Sequence, residues 1–259
     1  MKKFALFVFC MAVMSACPAQ GAVVFEENFE SGGEPFRFAW KWTKGAAWNE
    51  GSLVTENGNR IWREIFKPGS TDTYFGFTTS MKGTGSGNAI YFKFRVRYGD
   101  ALHPYTWATA RRSHELKFPD LCPGGPNGDR TCRVICEHRG DRDGKHGSFR
   151  VWTRLAVKNG DTYHHILPVQ LVSNAWYTIQ VGLVDNGDSG DIVKIWCNNE
   201  IESAPDYSYV SKGNLFNSAQ WWQCTTEWAY RNHAVAADQY FYYDDIRIGT
   251  AFIPGPGKK

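Results

Sequence analysis

The chain has 259 residues, 42% of them hydrophobic and 21% charged, a composition that excludes intrinsic disorder. Its 29 basic and 26 acidic residues give a formal charge of +3, with no basic tail or basic helix, which argues against a general nucleic-acid binder. Aromatic residues reach 15%, with 11 Trp, which implies a thick β core or a surface that stacks flat ligands such as sugars.

The N-terminus reads as an export signal. Met1-Lys2-Lys3 is a short basic start, and the apolar run 4–14 is too short to span a bilayer. Small residues follow at Ala16, Ala19, Gly21 and Ala22, so residues 1–21 are expected to be a signal peptide cleaved after Gly21. Ser15-Ala16-Cys17 offers the alternative of a lipoprotein anchored at Cys17. Either way the expected location is secreted, periplasmic or cell-surface, with no later stretch apolar and long enough to span a membrane. Loss of Lys2 and Lys3 leaves 27 basic against 26 acidic residues.

Residues 22–252 read as one all-β domain. In 90–98, Ile90, Phe92, Phe94, Val96 and Tyr98 alternate with Tyr91, Lys93, Arg95 and Arg97, the pattern of a half-buried strand. Further strands are expected at 149–156, 162–168, 176–184, 192–197 and 239–248, separated by Gly, Asn and Asp clusters. No segment longer than ten residues carries a helical period, so the fold class is a sandwich or jelly roll of antiparallel sheets. The polar stretch 124–147 is expected to be one long loop, and the tail 253–259 to be flexible.

Five cysteines remain after export: Cys122, Cys132, Cys136, Cys197 and Cys224. An oxidising compartment favours disulfides, and an odd count leaves one thiol over. Cys132 and Cys136 on one strand would be about 13 Å apart and unable to pair. The expected pairs are Cys122 with one of these two, and Cys197 with Cys224. Zinc is the rival, but no paired C-x-x-C and no His at finger spacing is present, so no metal is expected.

Three segments carry candidate chemistry. On a strand, Ser113, Glu115 and Lys117 share one face and His114, Leu116 and Phe118 the other. Lys beside Glu is ordinarily a solvated pair, yet a lysine held among cations can act as a base. Next, Ser148, Arg150, Trp152 and Arg154 alternate onto one face, opposite the mostly apolar Phe149, Val151, Thr153 and Leu155. Cations for a carboxylate and an aromatic plate for a sugar ring suit the polar face, which otherwise reads as a solvated sheet surface. Then Tyr163 and His165 share one side and Thr162 and His164 the other, so the two His cannot chelate one ion, and Tyr163 with His165 reads as a proton-transfer pair. Trp221, Trp222 and Trp228 sit in a stretch that reads as irregular, as a sugar platform or a loop's own core. Asp244 and Asp245, in the closing strand, read as turn-forming residues, with calcium as the alternative.

In order and spacing these segments resemble family 14 polysaccharide lyases, the alginate and glucuronate lyases of the concanavalin A-like jelly-roll superfamily. Lys117-Phe118-Pro119-Asp120-Leu121 before Gly124-Gly125 resembles that family's Lys-Leu-Pro-Gly-Leu and Gly-Gly. Ser148, Arg150, Trp152 and Arg154 resemble its Ser-x-Arg strand, and Tyr163-His164-His165 its Tyr-x-Tyr. Lys67-Pro68-Gly69-Ser70 and Tyr243-Asp244-Asp245-Ile246 add weaker matches. The chain departs from the pattern at Phe118, Asp120 and His165. Arg112-Ser113-His114-Glu115-Leu116-Lys117 also resembles the Arg-Ser-Glu-Leu-Arg of family 7 alginate lyases, whose later signatures are missing.

The family 14 resemblance implies β-elimination on an acidic, uronate-containing polysaccharide such as alginate or glucuronan. Arg150, helped by Arg112, would neutralise the C6 carboxylate. Lys117 would be the base or part of the charge clamp, and Tyr163 or His165 the base or acid. Ser148 would position the substrate, with Trp152, Glu115 and Arg154 completing the binding set. Clustered cations would lower the pKa of Lys117 and Tyr163. Arginine and lysine supply the positive charge, so no cofactor is expected, and the protein is expected to act as a monomer. The alternatives are a non-catalytic carbohydrate-binding jelly roll and a glycoside hydrolase on the same superfold.

Overall fold

Period-two alternation puts one side of each strand into apolar surroundings, and two sheets bury those sides against each other. The computed structural model of the chain describes residues 23–31, 40–45, 50–66, 70–80, 88–99, 115–121, 132–140, 146–155, 162–172, 174–210, 221–229 and 238–255. Strands are numbered in chain order. One sheet runs β13 (Tyr207–Val210), β12 (Ile192–Cys197), β11 (Trp176–Val184), β6 (Ala89–Tyr98), β15 (Gln239–Gly249), β4 (Asn59–Phe66) and β3 (Glu50–Glu56). Its eighth strand, β1 (Val23–Glu27), also pairs with β15. The second sheet runs β10 (Thr162–Val172), β9 (His146–Leu155), β8 (Cys132–Gly140), β7 (Glu115–Leu121), β14 (Trp221–Ala229), β5 (Ser70–Ser80) and β2 (Trp40–Gly45). Every described pair of neighbours is antiparallel, and the two sheets form the expected β-jelly-roll sandwich.

The apolar side of β6 is the centre of the eight-stranded sheet. Phe92 lies opposite Val181 and Ile248, and Phe94 opposite Ile179. All five side chains are buried, as are Val193 and Ile195 on β12. Burying each such side chain stabilises the fold by roughly 1.5–3 kcal/mol. The β3–β4 hairpin is closed by Asn57-Gly58, both at positive φ (51° and 79°). This two-residue turn matches strand twist, and Gly accepts the left-handed conformation without a steric penalty.

The polar side of β6 is not a solvated face. Lys93 is buried, and its Nζ donates to Glu200 Oε1 at 3.2 Å and to the carbonyls of Ile253 and Gly255. Residues 253–255, expected to be flexible, are thereby tied to the sheet; residues 256–259 lie outside the described residues. The same C-terminal segment covers an aromatic cluster, with Phe252 edge-on to Trp196 (5.1 Å) and to Tyr91 (6.2 Å). A Cβ at Gly182 would stand 2.8 Å from Tyr91, so this mid-strand glycine makes room for the cluster.

Arg95 on the same face donates to Asp244 Oδ2 at 3.0 Å and lies 4.9 Å from the Trp176 ring. A bulge in β15 between Asp244 and Arg247, with Asp245 at φ 47°, brings Asp244 opposite Arg95 and Arg247 opposite Lys93. Asp244 also accepts from Asn59 Nδ2 at 3.0 Å, which gives it the structural role expected from the sequence. An Asp244→Ala variant is expected to lose about 3 kcal/mol in urea denaturation, because Arg95 stays half-buried without its main partner. Asp244→Asn should recover part of that loss.

Cys197 does not form the expected disulfide with Cys224. It is a free, buried thiol on β12 of the eight-stranded sheet, whereas Cys224 belongs to β14 of the other. Burial pushes its pKa from the ordinary 9.0 up to about 12, with nearby Asp206 adding to the rise. The folded state thus keeps a proton that the unfolded chain gives up. The resulting stability is complete below pH 9 and is lost as pH rises towards about 12. It amounts to about 4 kcal/mol. Urea midpoints from pH 8.5 to 11.5 should fall more steeply for the wild type than for Cys197→Ala. Native protein should also resist thiol reagents that label the unfolded chain.

Two further expectations change. The stretch 124–147 is not one loop, because β8 occupies Cys132–Gly140 within it. The stretch around Trp221, Trp222 and Trp228 is not irregular but is strand β14. Cys132 and Cys136 do share one strand, and Cys122 lies outside the described residues.

Candidate active site

The described residues of the three candidate segments fall on β7, β9 or β10 of the seven-stranded sheet, and Trp221, Trp222 and Trp228 on β14 of the same sheet. Lys117 and Glu115 lie on β7, Ser148, Arg150, Trp152 and Arg154 on β9, and Tyr163 and His165 on β10. Arg112 lies outside the described residues. Sequence alone did not establish that these strands are neighbours. In the structure, β8 separates β7 from β9, and β10 is the edge strand.

Directly opposed residues in an antiparallel pair share a sheet face, so the register sorts the candidates. One row crosses all seven strands. Trp42 opposes Tyr74, Tyr74 opposes Glu227, and Glu227 opposes Lys117. Lys117 opposes Glu137, Glu137 opposes Arg150, and Arg150 opposes Ile166. Along β9 the same face takes Ser148, Trp152 and Arg154, opposite Arg139, Ile135 and Arg133 of β8. Glu115, opposite Ala229, joins it from β7. The alternate face holds Phe149, Val151 and Leu155, with Cys132, Val134, Cys136 and His138 opposite β9. The polar side read from β9 continues onto β8 through Arg133, Glu137 and Arg139, with Ile135 and Ile166 interrupting it and His138 on the other face.

A slip in register lets the central strand β7 accommodate Pro119. Proline cannot donate to a ladder, and strands place it at bulges or edges. The β7–β8 register slips between Lys117 and Asp120, which is the stretch holding Phe118 and Pro119. Asp120 then opposes Ile135 and Gln223, so the slip carries it to the face of Lys117.

The register does not bring the whole candidate set together. Tyr163 opposes Thr153 and His165 opposes Val151, which puts both on the alternate face from Arg150. His164 opposes Trp152 and takes the face of Arg150 instead. The expected cationic cluster is also absent from the row. Glu137 stands between Lys117 and Arg150, and Glu227 flanks Lys117 on the other side.

The sequence reading passed over Trp42, Tyr74, Arg133, Glu137, Arg139 and Glu227 on this face, and it gave His164 no role. Glu137 was hidden in the presumed loop and Glu227 in the presumed irregular stretch. For Trp42 and Tyr74 the signal was strand alternation in 40–45 and 70–80, where Trp40 and Trp42 share a face with Tyr74, Gly76 and Thr78. Among the described residues, no group of three or more His, Cys, Asp or Glu could hold a metal ion. None of the described helices is long and apolar enough to cross a membrane.

No family model and no curated protein sequence matches the chain. Solved structures do match in fold. The endo-β-1,4-glucuronan lyase of the fungus Trichoderma reesei aligns with a TM-score of 0.56 at 14% identity, covering 89% of this chain and 97% of that one. The marine PL-14 alginate lyase of Aplysia kurodai aligns with a TM-score of 0.52 at 15% identity, covering 88% and 98%. A Bacteroides ovatus GH16 protein from a mixed linkage glucan locus, solved with product bound, aligns with a TM-score of 0.56 at 10% identity, covering 87% and 100%. The jelly roll expected from the resemblance to family 14 lyases is therefore the fold found, and it is one that lyases share with GH16 proteins.

Proposed function

We propose that the chain is an exported polysaccharide lyase that cleaves an acidic, uronate-containing glycan by β-elimination. The observation that carries this reading is the single sheet face joining Lys117, Arg150, Ser148, Trp152 and Arg154 with Trp42 and Tyr74. Two long cationic side chains suit a carboxylate, and aromatic residues suit sugar rings. The shared fold with a glucuronan lyase and an alginate lyase adds support.

In this mechanism Arg150, with Lys117, neutralises the uronate carboxylate and acidifies the C5 proton. A base removes that proton, the C4–O4 bond breaks, and a double bond forms between C4 and C5. His164 is the titratable β10 residue on the face of Arg150, and it takes the C5 proton. The imidazolium so formed returns a proton to the departing O4. Ser148, Trp152, Glu115 and Arg154 bind the substrate, and the enzyme acts as a monomer with no cofactor.

A second reading is favoured by one observation. Glu137 and Glu227 lie on the same face, two strand spacings (about 10 Å) apart, close to the separation that inverting glycoside hydrolases use. One experiment separates the readings. Pure protein is incubated with alginate, glucuronan and a neutral β-glucan, while ultraviolet absorbance and reducing ends are followed together. Absorbance rising with reducing ends on a uronate polymer supports the lyase. Reducing ends without absorbance support a hydrolase, and retention on a polymer without product supports a binding module.

A further inference from the structure

The row of opposed residues fixes which role Lys117 can take, and this inference rests on the lyase reading above. Lys117 has a glutamate directly opposite on each neighbouring strand, Glu137 on β8 and Glu227 on β14. Opposed positions of an antiparallel pair hold their Cβ atoms roughly 4.5–5.5 Å apart. On its own strand, Glu115 lies two positions away on the same face, and Asp120 reaches that face across the slip in register. The cations of this face are more distant. Arg139 is diagonal to Lys117 across β7–β8, and Arg150 stands one strand beyond Glu137. Diagonal β14 positions carry no charge: Ala229 is opposite Glu115, and Thr225 lies between the register points Gln223 and Glu227.

We propose that Glu137 and Glu227 are positioning residues that keep Lys117 protonated, so that Lys117 serves as a fixed cation for the uronate carboxylate and not as the base. A lysine acts as a base only when burial or neighbouring cations depress its pKa. Four carboxylate residues on its own face do the reverse. The role of base then passes to another residue, and the clamp role remains. The row also has a geometric logic. Its signs alternate from Glu227 through Lys117 and Glu137 to Arg150 in directly opposed register positions.

The test is a direct titration of the Lys117 ammonium by 13C and 15N NMR of the full chain. Its resonance is assigned by its loss in Lys117→Arg. The wild-type midpoint is expected above the ordinary lysine value of about 10.4. Glu137→Gln and Glu227→Gln should each lower it, and the double variant should lower it by roughly one unit or more. A wild-type midpoint at or below the ordinary value overturns the proposal, as does a midpoint that neither single variant nor the double variant moves. Should the double variant fail to fold by circular dichroism, the wild-type midpoint and the single variants decide. The lyase reading fails separately, when no uronate polymer yields a new double bond whatever the titration gives.

Discussion

A Lys117→Ala variant is expected to lose about 10²- to 10³-fold in kcat/KM on the preferred uronate polymer, while Lys117→Arg retains a substantial part. The magnitude is that of removing one group that stabilises developing transition-state charge. The carboxylate gains enolate-like charge as the C5 proton leaves, so a fixed cation at Lys117 is worth more in the transition state than in the ground state. The loss should therefore appear mainly in kcat. Arginine keeps the charge and explains the retention; a base could not be replaced by it, because its pKa is too high to give up a proton. The measurement is the initial rate of ultraviolet absorbance against substrate concentration. Lys117→Ala at wild-type kcat would remove Lys117 from the mechanism, and Lys117→Arg as poor as Lys117→Ala would return it to the role of base.

His164→Gln is expected to lose about 10²- to 10⁴-fold in kcat, the usual worth of a positioned acid–base group, and to lose more than His165→Gln or Tyr163→Phe. The reason is register alone. His164 stands opposite Trp152 and diagonal to Arg150, whereas Tyr163 and His165 are paired with Thr153 and Val151. The acidic limb of the kcat/KM profile should report a group of imidazole character and vanish in His164→Gln. A larger loss at His165 or Tyr163 would place the chemistry on the other side of β10.

Much of the fold was legible in the sequence. The strands at 176–184 and 192–197 have the bounds expected from their alternation, and those near 90–98 and 239–248 differ only at their ends. Alternation is strong where one side of a strand is buried and the other polar. It failed at β8, whose Arg, Glu and His residues disguise the apolar Val134, Ile135 and two cysteines. It failed at β14 because Trp residues on both parities hide the period. The Asn57-Gly58 hairpin signal was present in the sequence and went unread. The aromatic excess also divides further than expected. Phe92 and Phe94 fill the core, Trp196 and Phe252 form a second cluster under the C-terminal segment, and Trp42, Tyr74 and Trp152 share the candidate face.

The sequence by itself determined the all-β class and the polar face of β9, because period-two alternation is a local property of consecutive residues. It also singled out Lys117 and Arg150. Only the tertiary structure decided what stands beside them. Register joins residues far apart in the chain, and a one-residue slip moves every side chain of a strand to the opposite face. That is why a cationic cluster was expected and an alternating row of Glu227, Lys117, Glu137 and Arg150 was found. It is also why His164, and not His165, takes the face of Arg150.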